Sequence, residues 1–390
     1  MTEHLCNGKK EKCVSAGENQ THASDCGDNL KTDKKKLNLA LQLVIVVGIA
    51  AITLWLMFRG KDAGEIIKCL KNADKRWLLL GAALMVGFVF GESIQLKMMF
   101  DGMKQKVSLF KCFLLSNVEY FFAQITPGAS GGQPIQMVYM TRLGIDVLVG
   151  ALACMMIAVL YKAAFLLIFL LALLFRSEIV LDSISQVPFL FTFGVLFQLA
   201  SISFLLTCIL RPSLASAMVN GLISFGAKLR IVKHPEKTKE KVQASIKRYK
   251  KGSEFLKSHK LMVLRMFLYT VVQRLAYFSV TFCVAKSLGI QHVDWFGVVT
   301  VQAILSLSVD ALPLPGAAGA NELVFINLQR RLFVPELMGA GLLLNRGITY
   351  YFLLISCCFF TLMANVFARR KRIILAEDAG EELNAYNNDN

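Results

Sequence analysis

Long apolar runs, each near the length of a bilayer and separated by short charged blocks, constrain this chain more than any motif in it. A helix needs roughly 20 apolar residues to cross the hydrocarbon core. Residues 37–58, 77–100, 147–175, 188–210, 261–285 and 335–368 each reach that length. With 55% hydrophobic residues over 390 positions, the composition excludes an ordinary soluble protein and predicts an all-α integral membrane protein with these runs as its spans. Two further apolar stretches, 107–125 and 294–312, run directly into breaks rich in Gly and Pro. They read as the descending arms of re-entrant hairpins.

The two breaks repeat one another. Pro127-Gly128-Ala129-Ser130-Gly131-Gly132-Gln133 returns as Pro315-Gly316-Ala317-Ala318-Gly319-Ala320-Asn321. The spacing that carries Pro127 to Pro315 also carries Arg142 to Arg330 and the start of one apolar run, Val147, to the start of another, Pro335. Paired Gly/Pro interruptions at matching places in two hydrophobic halves point to a transporter's binding site. Broken backbone at membrane depth has to be buried in protein or line a wet cavity, because lipid offers no partner for its amides and carbonyls.

Charge sets the expected topology. The net charge of +16 suits contact with anionic inner-leaflet lipid rather than nucleic acid, since Lys and Arg gather in blocks beside the spans. Residues 1–36 lack apolar periodicity and read as a disordered cytoplasmic tail. Lys34-Lys35-Lys36 before the first span and Arg369-Arg370-Lys371-Arg372 after the last place both termini in the cytoplasm. The transmembrane domain is expected over 37–372, its first half 37–176 and its second 188–372, with a cytoplasmic tail over 373–390 and 37–58 as a retained anchor. Between the halves, 211–260 is a basic cytoplasmic loop; Val242, Ile246 and Tyr249 lie at i, i+4, i+7, as in an amphipathic helix on the inner surface, although a solvated linker helix has the same pattern. Three spans plus one re-entrant hairpin per half make the halves an inverted repeat, with hairpins opening to opposite sides of a cell membrane. The basic connection 59–76 falls outside in this scheme, against the positive-inside rule.

At each break Pro ends one helix, and small residues let the backbone turn and approach a ligand. The following segments, 134–143 and 322–332, would present helix N-termini whose free amides and dipole favour a phosphate or carboxylate. Close helix packing is the other use of such glycines; the matched pair favours the site. Ionisable residues in lipid are costly and mark function, and Glu92, Glu119, Lys162, Arg274, Asp310, Glu322 and Arg346 all fall within apolar runs or at the breaks. They could pair among themselves, for instance Glu92 or Asp310 with Arg274. Arg274, Arg346 and Lys162 together suit a phosphate. Tyr277 lies one turn from Arg274, and Arg346 and Tyr350 share a helix face. No catalytic constellation, metal site or cofactor is expected: there is no P-loop and no nucleophile elbow, and the histidines and cysteines lack metal-ligand spacing. The cysteines read as reduced thiols.

The runs Ile125-Thr126-Pro127-Gly128-Ala129-Ser130-Gly131-Gly132-Gln133-Pro134 and Leu312-Pro313-Leu314-Pro315-Gly316-Ala317-Ala318-Gly319-Ala320-Asn321-Glu322 resemble the two signature loops of the flippase-like transmembrane family. That family includes the membrane region of lysylphosphatidylglycerol synthase, the multiple peptide resistance factor. The resemblance implies movement of aminoacylated phosphatidylglycerol between leaflets and protection against cationic antimicrobial peptides. It also implies a separate lipid aminoacyltransferase as partner, since the transferase domain of full-length members has no counterpart after Arg372. Gln133 departs from the Glu that many relatives carry. Pro127, Gly128, Ser130, Gly131, Gly132, Gln133, Pro315, Gly316, Gly319, Asn321 and Glu322, with Glu92 and the three cations, are the expected substrate region. Rival readings are a polyprenyl-phosphate or glycolipid translocase, a lysyltransferase by family name only, a membrane scaffold, and a polyprenyl pyrophosphate phosphatase. The last would call for an Arg beside Ser130, where Gly131 and Gly132 stand.

Overall fold

The structure, a computed structural model, describes residues 63–211 and 249–367, with 213, 214, 217 and 221 between them. The expected span 37–58, both tails, the flanking Lys34–Lys36 and Arg369–Arg372 clusters and most of the basic loop 211–260 lie outside the described residues.

The described residues form helices and no strand. In chain order these are α1 (Ala63–Asn72), α2 (Lys75–Gly102), α3 (Leu109–Ile125), α4 (Gly132–Arg142), α5 (Val147–Phe175), α6 (Ser177–Gln186) and α7 (Pro188–Leu210). After the undescribed stretch come α8 (249–258), α9 (Lys260–Ser287), α10 (Trp295–Val309), α11 (Ala320–Leu328) and α12 (Pro335–Phe367). Five of them, α2, α5, α7, α9 and α12, are long and apolar enough to cross a membrane. Short polar side chains start several helices by accepting first-turn amides: Asp74 from Arg76, Ser108 from Lys111, Asp146 from Leu148 and Asp294 from Phe296.

Helices α2 and α9 form the central pair. Their polar residues face each other: Gln95 Nε2 donates to Gln273 Oε1 (3.0 Å), and Thr270 Oγ1 donates to Gln95 Oε1 (3.2 Å). Such interhelical bonds in lipid contribute on average about 0.6 kcal/mol each. They also fix the register of the two helices. The pair runs antiparallel, because the Asp74 amide at the start of α2 donates to the Ser287 carbonyl at the end of α9 (2.9 Å).

This arrangement fixes where the two broken arms begin. Arm α3 leaves from the C-terminal end of α2, through residues 103–108, whereas α10 leaves from the C-terminal end of α9, beside the N-terminus of α2. At about 1.5 Å per residue α2 is about 42 Å long, and the arms descend about 25 and 22 Å from its opposite ends. They meet near its middle. Arm α10 is enclosed by protein, with every residue from Gly297 to Val309 buried. It lies so close to α7 that a Cβ on Gly194 would sit 1.8 Å from the Leu307 carbonyl oxygen.

The basic loop contributes a cap at its described end. Tyr249, Ser253 and Lys257, spaced one turn apart on α8, donate to the carbonyls of Cys208 (2.9 Å), Ile209 and Leu210 (2.8 Å). These are carbonyls that the last turn of α7 leaves without helical partners. Tyr249, expected on a surface-seeking face, is buried against the protein at 3% exposure.

Candidate functional site

Arms α3 and α10 end in two turns of the same conformation. In the first, Ala129 N donates to Thr126 O and Ser130 N to Pro127 O (both 3.2 Å); in the second, Ala317 N donates to Leu314 O and Ala318 N to Pro315 O (both 3.1 Å). Gly128 and Ala129 have φ of 58° and 56°, and Gly316 and Ala317 have 57° and 51°. Positive φ at both central residues makes each a type I′ turn. An alanine there costs about 1–2 kcal/mol, and the same strain recurs at corresponding residues. The turns also touch: Pro127 and Pro315 form an antiparallel β-bridge. Corresponding residues bridged antiparallel are related by a local twofold axis. The repeat visible in the sequence is therefore a pair of tips in contact.

The helices after the tips differ in how their N-termini are satisfied. In α11, Glu322 folds back to accept from Gly319 N (2.6 Å) and takes the Arg346 Nε–H on its other oxygen (2.7 Å). Arg346 also donates to Gly316 O (3.2 Å), so it is tied to the second tip. The anion position of that helix is filled by the chain's own carboxylate. In α4 the corresponding residue is Pro134, which brings no charge. Gly131 N donates to Thr126 Oγ1 (2.9 Å), Gly132 packs on the Glu119 carbonyl, and Gln133 Nε2 donates to Cys154 O (3.4 Å). Pro127, Gly128 and Ser130 are exposed, whereas Pro315, Gly316, Gly319 and Asn321 are partly covered. Tyr350 accounts for the cover on Gly316, its ring lying where a Cβ there would be. Tyr350 belongs to a π-helical turn, Gly347–Phe352, within α12; such turns are frequent at functional sites.

Arg274 is 4% exposed, and its guanidinium lies over the rings of Phe88 (4.3 Å) and Tyr161 (4.1 Å). Among the described residues it forms no ion pair, and its Nε–H has no hydrogen-bond partner. The alternative in which Arg274 pairs with Glu92 or Asp310 is not formed. Tyr161 instead donates to Asp310 Oδ2 (2.9 Å), and the neighbouring Lys162 donates to Gln198 Oε1 (3.0 Å). Of the three cations expected around a phosphate, then, Arg346 is engaged by Glu322, Lys162 by Gln198, and Arg274 is held by aromatic faces. Glu92 lies with Glu119 about Gln136.

Buried polar groups are almost always hydrogen-bonded, so exceptions need a reason. Apart from Gln329 Nε2, the exceptions among the described residues lie at the site: both amide atoms of Gln124, in the last turn before the first tip, Arg274 Nε, and the hydroxyl of Tyr350 against the second. Sequence reasoning singled out Arg274 but not Gln124, Tyr161, Tyr120 or Gln136 as site residues. Glu119 and Asp310 carried the signal of charge within an apolar run, and the structure brings both to the centre.

Comparison with known proteins agrees with this architecture. The family described as lysylphosphatidylglycerol synthase TM region matches residues 40–357, which include both tips and Glu92, Glu119, Lys162, Arg274, Asp310, Glu322 and Arg346. A UPF0104 membrane protein of Archaeoglobus fulgidus is 24% identical over 316 residues, covering 79% of this chain and 92% of that protein. The chain thus belongs, as a polytopic membrane protein, to the family of the lysylphosphatidylglycerol synthase transmembrane region.

Proposed function

We propose that the protein is a lipid translocase that carries a phosphate-bearing lipid between leaflets of the cell membrane, its halves forming an inverted repeat about the paired tips. The reading rests above all on the unpartnered polar atoms of Gln124, Arg274 and Tyr350 collected around two contacting tips. Buried donors without partners suit a polar headgroup that arrives and leaves. The phosphate would meet the open N-terminus of α4, where Gly131, Gly132 and Gln133 lie, and the guanidinium of Arg274. Lys162, Gly319 and Asn321 would line the far side, and Arg346 with Glu322 would brace the second tip.

Lysyl- or another aminoacyl-phosphatidylglycerol is the substrate proposed. Such a headgroup joins a phosphate to an ammonium, and exposed Asp310, held by Tyr161, supplies the complementary carboxylate. Acyl chains would stay in lipid while the tips part first toward one leaflet and then toward the other. A separate aminoacyltransferase would supply the lipid, and the basic loop 211–260 would hold anionic inner-leaflet lipid.

Purified protein in liposomes carrying labelled lysylphosphatidylglycerol on one leaflet tests the proposal. Label should become accessible from the other leaflet faster than in protein-free liposomes; equal rates refute it.

A further inference from the structure

Beside the tips lies a buried cluster that headgroup binding leaves unused. One amide nitrogen, Nε2 of Gln136 on α4, donates to Glu92 Oε1 (3.5 Å), Glu119 Oε2 (3.3 Å) and Leu115 O (3.2 Å). The two carboxyl groups thus converge on a single neutral donor. Two carboxylates are acceptors only and repel one another at this range, and holding one proton in common is what relieves such a pair. Neither forms an ion pair among the described residues.

The pair is wired into the surrounding helices. Tyr120, next to Glu119 on α3, accepts from Gln273 Nε2 of α9 (3.4 Å). Cys154 on α5 donates to Gln136 Oε1 (3.1 Å). The other charged or titratable groups within electrostatic reach of it are Cys357 of α12 and Arg274 of α9. Arg274 is the independent sign of a labile charge here, being more than nine-tenths buried with Nε unpartnered. A buried donor without a partner beside a singly charged pair is what a second negative charge would recruit.

We infer that Glu92 and Glu119 form a proton-binding site that holds one proton between two carboxyl groups, and that losing this proton frees α4 and the first tip. With the proton present, the carboxyl pair and Gln136 tie α2, α3 and α4 together. When the proton leaves to water, two like charges in a poorly screened interior repel. Glu119 then moves toward Arg274, and Gln136 loses a partner. The proton site stands whatever the cargo is; its coupling to transport rests on the translocase reading above.

Infrared spectroscopy of the protein in nanodiscs tests the site without any lipid assay. The expected result is a protonated-carboxyl stretch near neutral pH that shifts in D2O. It should be lost in Glu119→Gln and in Glu92→Gln but kept in Glu322→Gln. Wild-type protein without that band, or a band unchanged in both pair variants, overturns the inference, and the wild-type arm needs no variant to fold. The coupling is read in liposomes with a one-unit pH difference, which should shift the steady-state leaflet ratio of labelled lipid about tenfold per proton carried. Glu119→Gln should abolish that shift, and a retained shift overturns the coupling. Should no lipid move under any condition while the band behaves as described, the translocase reading fails and the proton site remains.

Discussion

Arg346 and Glu322 lock the second tip, and breaking that lock has a calculable cost. The ion pair is 2.7 Å long between side chains only 8% and 10% exposed. Each partner also bonds to the tip, Arg346 to Gly316 O and Glu322 to Gly319 N. Removing one member of such a buried pair leaves an uncompensated charge, at a cost of about 3–5 kcal/mol. Replacing both members with uncharged residues of similar volume is close to neutral for buried pairs. Arg346→Met and Glu322→Gln should therefore each destabilise by about 3 kcal/mol or more, while the double variant loses less than either alone. At about 2–4 °C per kcal/mol the single variants should unfold roughly 6–20 °C earlier. A thiol-reactive dye reports this in detergent, because Cys112, Cys154, Cys283 and Cys357 are buried and free until the fold opens. Single shifts under about 2 °C, or a double variant whose loss equals the sum of the two, would refute the lock.

Other outcomes follow from the same contacts. Gly194→Ala places a methyl 1.8 Å from the Leu307 backbone oxygen, a clash that no rotamer relieves; it should cost at least about 3 kcal/mol by forcing α7 away from α10, measured by the same dye. Ala317→Gly removes a left-handed alanine at φ 51° and should raise stability by about 0.5–1 kcal/mol after the entropy of the added glycine is counted; a lower melting temperature would show that the turn is not strained. Arg274→Ala should slow lipid transfer at least about tenfold, the loss of one charge-assisted hydrogen bond to phosphate; an unchanged rate removes Arg274 from the lipid path.

The spans were legible because apolar runs in a membrane chain are bounded by polar residues that also cap helices. Runs 147–175 and 188–210 coincide with α5 and α7, and 77–100 and 261–285 fall within two residues of α2 and α9 at each end. Both broken arms and their return helices were legible for the same reason, since Pro and Gly cannot continue a helix. What escaped was decided by partners distant in sequence. Nothing local to Glu322 says that it folds back onto Gly319 and removes the second anion position, because that depends on Arg346 arriving from α12. Tyr249, which caps α7 together with Ser253 and Lys257, was counted in the apolar stripe of a surface helix, as hydroxyls and ammonium groups reaching carbonyls have no periodic signature. The carboxyl pair was hidden likewise: Glu92 and Glu119 sit on separate helices, and only folding brings them onto Gln136.

The contact between the tips is tested most directly by tying them together. In a background whose native cysteines are replaced, Pro127→Cys with Pro315→Cys puts two thiols on backbone positions joined by an antiparallel bridge, a separation of about 4.5–5.5 Å that a disulfide spans. Oxidation should cross-link the pair, and lipid transfer in liposomes should fall at least about tenfold and return on reduction, since tips that cannot part cannot open either leaflet. Failure of the two positions to cross-link, or cross-linked protein that moves lipid as fast as the reduced form, would contradict the account.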